Sequence, residues 1–321
     1  MIGWELCARA MASLLAVIVV VIPGPDGPGS GSPVSPVPIV AGSGAKARVI
    51  DAASLSAALA AARPGQTIEL ADGTYFGKFV INTAGTTGNP ITLIGSRAAI
   101  IDGGHGGGYV LHLNGADYWQ LVGFTITGAE KGVMTDQTSH TVLSDLSVGD
   151  TGAEAVHLGN FSSDNVVQGS RIHDTGKTKP QFGEGLYFGT AKSNWAEKSG
   201  GRPDESNNNR ALNNTFTTIT AENIDVKEAT RGGVIAGNHF DGSAVSGANF
   251  ADSVLDIKGT GYRVVGNVTT GSSGKLKNGF ETHVITDPVT SGCHNTFEHN
   301  IFDGVQFAGG QEIAEDKKCG K

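Results

Sequence analysis

Charge is scarce in this chain. Only 17% of its 321 residues are Asp, Glu, Lys or Arg, and the balance is acidic, at −8 with histidine neutral. The lack of a basic excess argues against nucleic-acid binding, which needs a cationic face. It argues equally against electrostatic docking on anionic lipid. An anionic partner would have to be met through a bound cation or a local basic cluster. Cysteine is rare too, with three residues, and none stands with histidine at zinc-ligand spacing. There is no Gly-x-Ser-x-Gly elbow. The glycine run at residues 103–108, interrupted by His105, lacks the strand and helix that would make it a phosphate loop. A single apolar run, residues 10–22, stands out; it is too short for a comfortable membrane span and is broken by Pro23.

What is present begins with that run. Arg9 precedes it, so residues 1–22 read as a secretory signal or N-terminal anchor. Residues 23–47 are rich in Pro, Gly and Ser and read as a flexible tether. Export favours disulfides, and Cys293 and Cys319 are expected to pair, clipping the tail to the last folded turns. Cys7 falls in the leader. Hydrophobic residues make up 39%, enough for a core, and 48 glycines are roughly twice ordinary usage.

Internal repetition dominates the remainder. Seven segments share an apolar-x-apolar core, with Leu111, Val133, Val156, Leu186, Ile224, Leu255 and Phe280 as first residues. Their middle residues are His112, Met134, His157, Tyr187, Asp225, Asp256 and Glu281, recurring every 22 to 38 residues. The shortest intervals match one coil of a parallel β-helix, and the longer ones need loops protruding from the same coil. The fold expected is all-β: one right-handed parallel β-helix over residues 48–321. A helix over residues 51–62 would cover its open end, and Ala71-Asp72-Gly73 would turn the chain between the first strands. Downstream in each coil, Asp145, Ser170, Asn214, Asn238, Asn267 and Asn300 are expected to form one polar ladder at a corner.

Alternation at period two makes each middle residue point outward. A second outward column follows two residues on, containing Lys227, Lys258 and His283. A third leads the strands, with Glu154, Glu184 and Glu222. Stacked Glu184 and Glu222 beside Asp225 would repel unless a cation sat among them, and an all-oxygen set suits Ca²⁺. Lysines beside such carboxylates could serve as bases. The plain alternative is that Lys227–Asp225 and Lys258–Asp256 are surface ion pairs of little consequence. The insertion at residues 190–209 offers Trp195 for stacking on a sugar and Lys192 or Arg202 for a carboxylate. His112 and His157 read as surface or distal residues.

Residues 48–104 and residues 221–240 (AENIDVKEATRGGVIAGNHF) resemble secreted β-helix polysaccharide lyases of the chondroitinase-B and alginate-lyase-like family. That resemblance implies β-elimination on a uronic-acid polysaccharide, with Lys227 as base and Glu222, five residues earlier, as a Ca²⁺ ligand. Glu184 and Asp225 would complete the metal set, and Lys258 stands where the family has an arginine. Thr220 stands where the family has a second acidic ligand. Tyr187, Trp195 and His283 would contact substrate. The implied partner is an acidic polysaccharide met by an extracellular monomer. A β-helix glycoside hydrolase using Asp225, Asp256 or Glu281, and a non-catalytic glycan-binding solenoid, remain open on the sequence.

Overall fold

The structure is a computed structural model that describes residues 34–319. The leader assigned to residues 1–22, and Cys7 with it, lie outside the described residues. Among the described residues, short strands pair in parallel, coil after coil, into a right-handed β-helix of three faces. One face runs from Lys46–Val49 through Thr67–Leu70 and Ile91–Ile94 to Thr296–Glu298. The other two are joined because Ala99–Asn114 and Thr125–Asp136 run around the corner between them.

Register follows the repeat read from the sequence. His112 pairs with Met134, Met134 with His157, His157 with Tyr187, Tyr187 with Asp225, Asp225 with Asp256, and Asp256 with Glu281. Their apolar predecessors, from Leu111 to Phe280, stack inward and are fully buried. Helix Ala52–Ala60 closes the N-terminal end, with Leu55 and Leu59 in the core. Its start is fixed by a capping box, in which the Asp51 carboxylate accepts the Ser54 N–H at 2.7 Å and Ser54 Oγ accepts the Asp51 N–H at 3.1 Å.

The corner ladder differs from expectation in one member. Ser170, Asn214, Asn238, Asn267 and Asn300 do stack, each side chain accepting the backbone N–H of the preceding member at 2.9–3.1 Å. Asn238 Nδ2 also donates to the Ala211 carbonyl one coil back, at 2.9 Å. Asp145 is out of step: Leu146 occupies the ladder position and donates its N–H to Ser170 Oγ at 3.0 Å. Asp145 instead takes the left-handed conformation, φ 52°, and pairs with Arg97 at 2.7 Å. That coil carries an apolar residue at the ladder position, so the sequence pattern picks out its polar neighbour Asp145 instead.

A second difference concerns the tether. Residues 34–40 lie against the first face rather than hanging free. Val37 exchanges two hydrogen bonds with Gln168, both 2.8 Å, and Val40 two with Gln120, at 2.6 and 2.7 Å. Val34, Val37 and Ile39 cover an outward apolar patch of Val142, Val166, Leu212, Ala236 and Val265. That patch would otherwise face water, so composition alone misjudges the segment. At the other end Cys293 and Cys319 are bonded, with Cα atoms 5.5 Å apart. Among the described residues no helix is long and apolar enough to cross a membrane.

Ile224 is fully buried directly behind the outward Asp225. Ile224→Ala should cost about 2–5 kcal/mol through the cavity it leaves. Urea denaturation would measure this, and a loss below about 0.5 kcal/mol, as for a surface site, would contradict the packing.

Candidate active site

The outward columns sit in a cleft, not on an open face. Loops leave the coils on both sides: residues 174–183 and 242–251 on one, the 190–209 insertion on the other. Between them lies a groove of about 390 Å³ lined by Tyr109, Lys131, Glu154, Glu184, Tyr187 and Lys227, among others. Middle residues that alternation sends outward are therefore largely shielded from water; Asp225 is only 2% exposed.

Lys227 and Lys258 occupy successive coils. Their backbone N–H groups donate to the Phe188 and Val226 carbonyls, which fixes their places in one column. Lys227 Nζ donates to Asp225 Oδ2, and Lys258 Nζ to Asp256 Oδ2. Lys258 Nζ also lies 3.7 Å from Asp225 Oδ1, so Asp225 ties the two lysines together. The Lys227 ammonium stands 4.7 Å from the centre of the Tyr187 ring. His283 Nε2 is 3.1 Å from Glu281 Oε2 and 3.6 Å from Asp256 Oδ1.

Burial and charge oppose one another throughout this cluster. Burial alone would lower the pKa of both lysines, but the Asp225 and Asp256 charges hold both well above the ordinary lysine value. Burial would raise Asp225, yet Lys227 and Lys258 keep it low. Asp256 is raised, because burial and Asp225 outweigh Lys258. No lysine reaches Glu184 as closely; burial, Glu154 and Asp225 push it up to about 8. Glu222 is raised as well, chiefly by burial and then by Asp225.

Glu184, Glu222 and Asp225 each offer an oxygen, and the three lie within 4.8 Å of one another. Two oxygens on opposite sides of one Ca²⁺ are separated by about 4.8 Å. The donor set is all oxygen, and Glu184 Oε2 is buried with no hydrogen-bond partner. Both observations fit a hard divalent cation.

Three solved structures share the architecture. An alginate lyase from Paenibacillus sp. str. FPU-7 matches with a TM-score of 0.77 and 30% identity, over 84% of this chain and 98% of that one. The chain belongs to the parallel β-helix polysaccharide lyases. Pectate lyase Pel9A matches at TM-score 0.61 and 16% identity, over 86% of this chain and 79% of its own. The PL6 family alginate lyase AlyGC matches at 0.52 and 16%, over 84% of this chain and 40% of its own. These two matches speak for the fold alone. No family model matches the sequence, and no curated protein does.

Not every side chain expected at the lyase cleft is free to act there. Trp195 is 4% exposed and donates its indole N–H to the Thr190 carbonyl at 2.7 Å. It is the core of its own loop and offers no face to a sugar. Arg202 lies over the Phe161 ring at 4.4 Å, and Lys192 bonds Asp287 at 3.0 Å, so both are engaged. His157 is buried, not on the surface: its ring lies 4.5 Å from that of Tyr187. Its Nε2 must carry the proton, because it faces the Gly189 carbonyl at 2.9 Å.

Lys131 was missed. It stands two residues before Val133, the same offset that picks out Glu154, Glu184 and Glu222, so the third column begins with a cation. Its Nζ lies 2.6 Å from Glu154 Oε1 and 3.3 Å from His157 Nδ1. Burial works to raise Glu154, but the His157 imidazole and the Lys131 ammonium overcome it and hold the carboxyl down to about 2.

Glu154 therefore adds stability that is full above the unfolded value near 4.5 and is lost as pH falls through about 2. Glu154→Gln should cost about 3 kcal/mol at pH 7 by leaving Lys131 without its partner. The gap from wild type should narrow as the pH is lowered toward 3. Denaturation at the two pH values tests this, and a pH-independent gap would show that the pair is not what stabilises.

Proposed function

We propose that the chain cleaves a uronic-acid polysaccharide by β-elimination, with Lys227 removing the proton next to the uronate carboxylate. The observation that carries this reading is the pair of stacked lysines, Lys227 and Lys258, anchored by Asp225 and Asp256, with Lys227 in the wall of a cleft of a polysaccharide-lyase fold. A base must act from its neutral form. Because its aspartate neighbours favour the ammonium form of Lys227, turnover should climb with pH through the alkaline range. Lys258, one coil on, would balance the charge that develops on the enolate. Tyr187 lies beneath the Lys227 ammonium and would position the sugar against it.

Glu184, Glu222 and Asp225 would hold Ca²⁺, which when bound supplies positive charge to a uronate carboxylate. That would let an acidic protein accept an acidic polymer. Alginate is the first polymer to try, since the 30%-identical neighbour is an alginate lyase. The leader read at residues 1–22 would bring the protein outside the cell, where such polymers are met.

Purified protein should be mixed with alginate, polygalacturonate, glucuronan and chondroitin, with Ca²⁺ or with chelator. A rise in ultraviolet absorbance from unsaturated ends is expected on at least one. No rise on any polymer would sink the lyase reading, and new reducing ends without unsaturation would point to a hydrolase. Lys227→Ala should abolish turnover while polymer binding survives, because a proton acceptor acts on the barrier and not on the ground state. Full activity in that variant would remove Lys227 from the mechanism. Glu222→Gln should abolish the rise in melting temperature that Ca²⁺ gives the wild type; an equal rise in both would exclude this metal site.

A further inference from the structure

One edge of the cleft carries an aromatic side chain, and a second stands just beyond it; the chemistry above uses neither. Two short turns, Pro180–Phe182 and Ala248–Phe250, pack together. Phe182 and Asn249 line the cleft along with Glu184 and Lys227. Phe250, next to Asn249, is 87% exposed, more than any other large apolar side chain among the described residues. Phe182 is 43% exposed.

A lone exposed aromatic is ordinary, but this one stands next to a residue that lines the cleft. Asn249 and Phe250 are both left-handed, with φ of 53° and 66°. Asn160 and Phe161 take nearly the same pair of values, 50° and 66°, so the geometry recurs in this fold. The turn is imposed from its ends. Gly247 N–H donates to the Ala251 carbonyl at 2.8 Å, and Ala251 N–H to the Ala248 carbonyl at 3.0 Å. Ser246 N–H ties the loop to the Thr220 carbonyl at 2.9 Å, two residues before Glu222. These bonds hold a phenyl ring in water beside the cleft.

We infer that Phe250, with Phe182, forms a stacking platform for a pyranose ring of the polymer, one removed from the ring that reacts. The inference rests on the lyase reading and adds a binding site to it. The C–H face of a sugar is apolar and flat, and an aromatic ring takes it without charge. Such a contact gains affinity for an acidic polymer without another cation. It acts on binding, since neither ring belongs to the cluster around Lys227.

The test compares wild type, Phe250→Ala and Phe250→Tyr as full-length protein. Steady-state kinetics are measured on each polymer that is cleaved, and retardation in gels containing that polymer is measured in parallel. Phe250→Ala should raise KM about five-fold, with kcat within about two-fold and a correspondingly weaker retardation. Phe250→Tyr should behave as wild type, and neither change should lower the melting temperature. Unchanged KM and retardation in Phe250→Ala, on a polymer that the wild type binds, would overturn the platform and leave the lyase reading standing. Equal losses in Phe250→Ala and Phe250→Tyr would overturn it too, since the ring would not be the cause. Failure of the wild type to bind or cleave any polymer would remove both.

Discussion

Everything in this molecule depends on the in-register stacking of parallel strands from successive coils. A strand displaced by one residue would send Ile224, Leu255 and Phe280 into water and bring Asp225, Asp256 and Glu281 into the core. Burial of the apolar column enforces the register on one side, and the asparagine ladder enforces it at the corner. In that ladder each amide satisfies two backbone groups at once, an N–H and a carbonyl, both on the coil before its own. An amide that bridges coils in this way cannot shift by one residue without stranding buried donors.

The same stacking makes a charged site tolerable. Carboxylates one coil apart are forced to within a strand spacing of each other, about 4.8 Å. In water such a column would cost little. Inside a cleft it costs a great deal unless each charge is answered. Asp225 and Asp256 are answered by lysines two residues along their own strands. Glu154 is answered by Lys131 from the coil before. Glu184 and Glu222 find no such partner at comparable distance, and their raised pKa values express that lack. The imbalance lies where a cation or a charged substrate would be received.

Loops convert this column from a stripe on a cylinder into a cleft. The insertion at residues 190–209 folds around Trp195 and is pinned by Lys192 to Asp287 and, through its backbone, to Glu228. On the far side, the turns ending in Phe182 and Phe250 lean on one another. Neither wall belongs to the repeat, so the shape of the cleft is free to vary while the coil stays fixed.

The amino-acid sequence by itself determined the coil, its register and the identity of the outward columns. Period-two alternation recurring at coil intervals leaves one arrangement that buries Leu111 through Phe280 together. Asp225, Lys227, Asp256 and Lys258 are legible as a cluster for the same reason: strand geometry places them, not loop geometry. Tertiary structure alone decided what surrounds that cluster. Trp195 looked available because nothing in its loop reveals that the indole N–H would turn back on Thr190. Residues 34–40 looked like a tether because composition cannot see the apolar patch awaiting them. The burial of His157, the partnering of Lys131 and the left-handed turn at Phe250 depend on contacts between segments far apart in the chain. Periodicity reports only the segments that repeat, and the walls of this cleft do not.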